Sequence, residues 1–150
     1  IENGVRQGFL TDVTAAHSSQ TMKLAVSYMS THANQYKQLA GSPENGKRMA
    51  GYEKALSGKQ VHWLPKAKLP DAGLPWIEDG DLIAITTNQQ GLDIAHVGIA
   101  DYQDGKLRLL HASSSLGKVV ISDEPLSRML SNHKSWTGIR VVRMCHTKNN

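Results

Sequence analysis

His96 and His111 have the residue type and the spacing to move protons at a single centre. A neutral imidazole takes a proton from a nucleophile such as a thiol and later gives it to a leaving amine. A second imidazole, hydrogen-bonded to the first, holds it in the required tautomer, as a carboxylate or carboxamide does in other triads. Both rings must then lie on one face of adjacent elements. Alternate residues of a strand share a face. His96, Gly98 and Ala100 therefore line one side of a strand, and Leu107, Leu109 and His111 line one side of the next. Asp104-Gly105 between them is a tight-turn signal. Pairing outward from that turn sets His96 opposite Ser113, to within a residue or two, and so beside His111. Gly98 and Ala100 leave room beside His96, and Ala112, Ser113, Ser114 and Ser115 would line the rim. Spacing alone leaves two other readings open: zinc held by the pair with a third ligand, and two structural histidines with satisfied nitrogens. The remaining histidines, His17, His32, His62, His133 and His146, read as solvated or locally hydrogen-bonded.

A nucleophile is harder to find. Cys145 is the only cysteine, so an internal disulfide and a cysteine-rich zinc site are both excluded. No helix follows it to favour the thiolate, and it reads as an inert thiol near the terminus. Ser113 and Ser114 lack a nucleophile-elbow motif and read as substrate contacts. Asp81, directly after Gly80, is a strand-entry or turn residue by position, with binding of a substrate amine as its functional alternative. Asp93 precedes His96 closely; it either bonds loop backbone or tunes the site. His62, Trp63 and Trp76 fall in the segment 59–76, where aromatics pack against a domain or stack on a sugar or peptide.

The elements that must hold these residues follow from periodicity. Met22, Ala25, Met29, Ala33, Tyr36 and Leu39 fall at spacings of three and four, which predicts a helix over 21–39 with Ser18 or Ser19 as its cap. Ser42-Pro43 predicts a second helix over 43–56. Glycines and prolines make 57–80 a loop with a short strand near 61–64. Strands are expected over 81–87, 94–102, 106–112, 118–122 and 138–144, and a short helix over 125–130. Helices followed by antiparallel strands predict an α+β domain. Its divisions would be a helical and loop region over 1–79, a sheet over 80–144 that bears the histidines, and a tail over 145–150, the whole being one domain or the C-terminal part of one.

Composition narrows the partners. The chain has 150 residues and a formal charge of +4. That length can bury a core. The charge is diffuse, densest over 59–68, and matches no nucleic-acid-binding motif; it suits an anionic partner such as a cell wall. No apolar run approaches a membrane span.

Read together, the motifs resemble a known group. Gly80-Asp81-Leu82-Ile83, Ala95-His96-Val97-Gly98-Ile99-Ala100 and Leu110-His111-Ala112-Ser113-Ser114 resemble the NlpC/P60 papain-like superfamily. Within it the chain resembles the DUF1460 family of N-acetylmuramoyl-L-alanine amidase-like proteins. Asp12-Val13-Thr14, Gly91-Leu92-Asp93-Ile94, Val119-Val120-Ile121 and 138–143 extend the likeness over most of the chain. The resemblance implies a papain-like antiparallel half-barrel packed against helices, with His96 as catalytic base and His111 as its orienting partner. It implies a cysteine amidase or peptidase acting on peptidoglycan or muropeptides, at the muramoyl–L-alanine amide or within the stem peptide. It requires no metal or other cofactor, and it implies a periplasmic or secreted location. Because no cysteine precedes His96, the same resemblance puts the nucleophile upstream of Ile1, in an N-terminal segment that could stay associated. This chain alone would then be inactive. The alternative is a non-catalytic domain of the same fold that binds peptidoglycan or peptide.

Overall fold

A computed structural model describes residues 1–145; the expectations for His146 and the rest of the tail lie outside the described residues. The helices are α1 (Glu2–Arg6), α2 (Val13–His17), α3 (Tyr28–Thr31), α4 (Pro43–Leu56) and α5 (Leu126–Asn132). The strands are β1 (Leu10–Asp12), β2 (Thr21–Lys23), β3 (Gln60–His62), β4 (Leu64–Pro65), β5 (Leu82–Thr87), β6 (Ile94–Gln103), β7 (Lys106–Ser113), β8 (Lys118–Ile121) and β9 (Trp136–Met144).

Seven strands form one antiparallel sheet in the order β1-β9-β5-β6-β7-β8, with β4 also paired to β9. The hairpin at its heart forms because Asp104 and Gly105 both take positive φ, 51° and 69°, the conformation a tight two-residue turn needs. From there β6 and β7 pair as Gln103↔Lys106 through Ile99↔Leu110. Continuing that register sets Gly98 opposite His111. A Cβ on Gly98 would come within 2.5 Å of Leu109 Cγ and 2.8 Å of the Leu110 carbonyl oxygen, so this position requires glycine.

One face of the sheet is the core. Ile83, Ile85, Ala100, Leu107, Leu109, Ile139 and Val141 are buried on it, and Val13, Leu69, Ile77, Leu126, Met129 and Leu130 pack over them. Thr14 ties α2 down: its hydroxyl accepts from the Val141 amide at 2.6 Å and lies 3.3 Å from the Val141 carbonyl. The opposite face is more open. Val97 and Val119 are exposed there, and Leu10, Leu82, Ala84, Ile99 and Val142 line a shallow apolar groove of about 370 Å³.

Two expectations need correction here. The sheet is open, because its edge strand β8 does not pair with β1 or β4 at the other edge, so the papain-like half-barrel does not describe it. The 21–39 segment is also not one helix. Residues 21–23 pair with β3 instead, and the amides of Ser27 and Tyr28 both donate to the Gly91 carbonyl. The short α3 that remains is capped from a distance: buried Glu53 accepts from the Met29 and Ser30 amides. Ser18 follows α2 rather than starting a helix, with its hydroxyl donating to the Trp63 carbonyl. By contrast α4 runs from its Ser42 cap and first-turn Pro43 as the residues suggest.

Candidate active site

His96 on β6 and His111 on β7 meet on the core face of the sheet. Their rings stand nearly perpendicular, 86° apart in plane. His96 Nε2 lies 2.8 Å from His111 Nδ1, a direct hydrogen bond between imidazoles. When His96 donates through Nε2, its lone pair is left on Nδ1, which has no hydrogen-bond partner among the described residues. Both histidines line a cleft of about 690 Å³, with Ser113, Ser114, Ser115 and Lys118 on one side and Met129, His133 and Trp136 on the other. That volume suits a substrate fragment larger than a single amino acid.

The sheet is deformed where it holds this pair. The register of β5 shifts against β6 between Ile85 and Thr86, and against β9 between Thr86 and Thr87. Irregularities of this kind turn side chains off the regular alternation. Here they flank Ile85, the partner of His96, and Thr87, the partner of Trp136. The Trp136 ring lies parallel to His96 within 8°, with centroids 5.8 Å apart. His133 stacks on Trp136 at 3.8 Å, and its Nδ1 lies 2.9 Å from the Met129 carbonyl, to which it donates. Burial holds the His96 pKa below its ordinary 6.5, and the nearby His111 and His133 push it the same way. At neutral pH His96 is therefore an unprotonated base.

The other sequence-selected residues separate into two groups. Ser113 and Ser114 line the cleft beside the histidines. Ser113 is buried, 3.1 Å from the Ser115 hydroxyl, and accepts from the Leu116 amide; Ser114 is exposed. Asp81 and Asp93 are not among the residues lining the cleft. Asp81 is buried near the opposite end of β5 and is engaged by Arg143, with Nε–Oδ1 at 2.7 Å and Nη2–Oδ2 at 2.8 Å, while its Oδ2 also accepts from the Glu78 amide. Asp93 lies in the turn that enters β6. Trp76 stacks on His17, and His62 Nδ1 lies 2.7 Å from the Ser18 carbonyl, so these rings serve the packing. Cys145 follows the end of β9 remote from Trp136, roughly 30 Å along the strand, with its thiol 3.2 Å from the Thr11 hydroxyl. Sequence reasoning overlooked Trp136 altogether and set His133 aside as locally bonded. The spacing His133-x-x-Trp136 before a strand was the signal available.

Among the described residues, no group of three or more His, Cys, Asp and Glu side chains could hold a metal ion. What remains is an arrangement suited to acid–base work: a half-buried imidazole, a second imidazole hydrogen-bonded to it, and a roomy cleft with hydroxyls at its rim.

Residues 1–139 match the family model for AmiA-like, N-acetylmuramoyl-L-alanine amidase-like proteins, and the chain belongs to that family. The crystal structure of a Bacteroides uniformis N-acetylmuramoyl-L-alanine amidase is 64% identical with a TM-score of 0.91, over 96% of this chain and 61% of that one. A Bacteroides fragilis structure described as a xylanase is 62% identical with a TM-score of 0.89, over 95% of this chain and 62% of that one. This chain thus spans about three-fifths of the length of these relatives. No curated protein matches it. A Legionella pneumophila structure of the DUF1460 family model is only 20% identical, with a TM-score of 0.59 over 95% of this chain and 58% of that one, a likeness of fold alone.

These matches correct the assignment to DUF1460 within NlpC/P60, and the cysteine-peptidase label with it. The expectations drawn from that resemblance fall with it as inferences: a nucleophilic thiol upstream of Ile1, a chain inactive by itself, and the alternative of a non-catalytic domain of that fold. Those rested on the resemblance to DUF1460 and on the lack of a cysteine before His96. The amidase-like match over residues 1–139 replaces that resemblance.

Proposed function

We propose that this protein hydrolyses the amide between N-acetylmuramic acid and L-alanine in peptidoglycan or its muropeptides, with His96 as the base and His111 as its orienting partner. The observation that carries this reading is the 2.8 Å bond between His96 Nε2 and His111 Nδ1 inside the cleft. Membership of the amidase-like family supplies the substrate class. Hydrolysis consumes one water: its hydroxyl ends on the muramoyl carbonyl carbon, and its other proton ends on the alanine nitrogen. His96 Nδ1 carries that proton from the attacking side to the leaving amine. His111 keeps the His96 lone pair on Nδ1 and accepts from Nε2 in the imidazolium that forms. The Ser113 and Ser114 hydroxyls contact the peptide or sugar at the rim. A periplasmic or secreted location goes with this reading, because peptidoglycan lies outside the cytoplasmic membrane. Among the described residues, no helix is long and apolar enough to cross a membrane.

The test is to incubate the protein with a soluble N-acetylmuramoyl peptide and follow release of the L-alanine amino group by mass spectrometry. Release by the wild type and its loss in His96→Ala support the assignment. Undiminished release by His96→Ala rejects it.

A further inference from the structure

The cleft holds a third imidazole that the proton-transfer scheme does not use. His133 is fixed twice: its Nδ1–H donates to the Met129 carbonyl one turn back, and its ring stacks on Trp136. Trp136 in turn lies parallel to His96. An offset parallel contact at this separation is within the range in which aromatic rings hold one another's orientation. His133 therefore stands behind the wall against which the base rests.

Resting on the function proposed above, we propose that His133 is a positioning residue for His96, acting through Trp136, which it holds parallel to the base. Three elements converge to make this possible. α5 ends at the His133 carbonyl region, where the Lys66 ammonium donates to the carbonyls of Leu130 and His133. β9 begins at Trp136, and the doubly shifted end of β5 lies between β9 and β6. The charged and titratable groups facing the space are His96 and His111 from the sheet, Lys118 from β8, Asp123 and Glu124 from the segment after it, and His133 itself. Glu124 is turned toward Asn132, which donates to both its oxygens. Beside the larger effect of burial and that of His111, His133 also opposes a positive charge on His96.

Two substitutions separate the stacking from the charge. His133→Phe keeps an aromatic ring against Trp136 and cannot be protonated; His133→Ala removes both. The readouts are the titration of the His96 imidazole by NMR, which needs no turnover, and kcat and KM for muropeptide hydrolysis against pH. We expect the His96 titration, and the acid limb of kcat, to move to higher pH in His133→Phe. In His133→Ala we expect kcat to fall about tenfold while KM stays within about twofold, since a misplaced base costs rate more than binding. An unmoved His96 titration in both variants overturns the proposal, as does an equal loss of kcat in both. If the protein fails to hydrolyse muropeptides at all, the function assignment fails, and the NMR titration still decides the role of His133.

Discussion

Under the proposed function, the His96–His111 bond divides two jobs between two identical side chains. His96 lies against Trp136 and is held unprotonated mainly by burial. A base of this kind works only while neutral, so activity should fall as pH drops through its lowered pKa. The acid limb of the pH–rate profile should therefore lie below 6.5, the ordinary value. Stability carries the same sign. The unfolded chain takes up the His96 proton at a higher pH than the folded one, so this contribution is complete above the ordinary value and is lost as pH falls through the folded value. For His111, an orienting role predicts graded damage. His111→Asn, which can still accept from Nε2, should keep more kcat than His111→Ala, whose loss we expect to be about 10- to 100-fold. Equal activities in the two variants would show that no acceptor is needed there.

At the scale of the elements, the hairpin of β6 and β7 does the positioning, and Gly98 is its tightest point. Gly98→Ala would push a methyl group against Leu109 and the Leu110 carbonyl. We expect a loss of about 1–3 kcal/mol, read as a lowered midpoint in denaturant, with kcat reduced because His111 sits directly across the ladder. A wild-type midpoint would mean that β6 and β7 can part without cost. This hairpin was legible in the sequence because alternation and Asp104-Gly105 act locally, and the observed pairs reproduce the register read from the turn. The segment 21–39 was not legible. Its apolar spacing fits a helix, but the pairing of β2 with β3 and the distant Glu53 and Gly91 partners decide its form. The His133–Trp136–His96 row was hidden for the same reason. It depends on two register shifts in β5, and spacing within β5 or β9 does not announce them.

Across the molecule, the open sheet separates the end that carries the His96–His111 pair from the end held by Asp81 and Arg143. Asp81 belongs to the second. Its carboxylate joins Arg143 to the Glu78 amide, and Arg143 also reaches Glu78 and the Trp76 carbonyl. Asp81→Asn should lower stability by about 1–3 kcal/mol, through a weakened pair and a less satisfied amide. KM for the muropeptide should not change. A raised KM with unchanged stability would instead make Asp81 a substrate contact, the other role its position suggested. The α+β class and the strands from β5 onward could be read in advance, because strand alternation and turn residues are local signals. Family membership was misassigned because HVGIA and HASS are short motifs that report the histidine pair and not the rest of the chain. Only the likeness over residues 1–139 settled the family.

The most direct test of the central claim is a double-mutant cycle on kcat/KM for hydrolysis of an N-acetylmuramoyl peptide, using His96→Ala, His111→Ala and both together. If His111 acts by orienting His96, its loss should matter only while His96 is present. His96→Ala should then remove nearly all turnover, and adding His111→Ala should cost nothing further. Independent losses that add, or a His96→Ala protein that turns over like the wild type, would contradict the account.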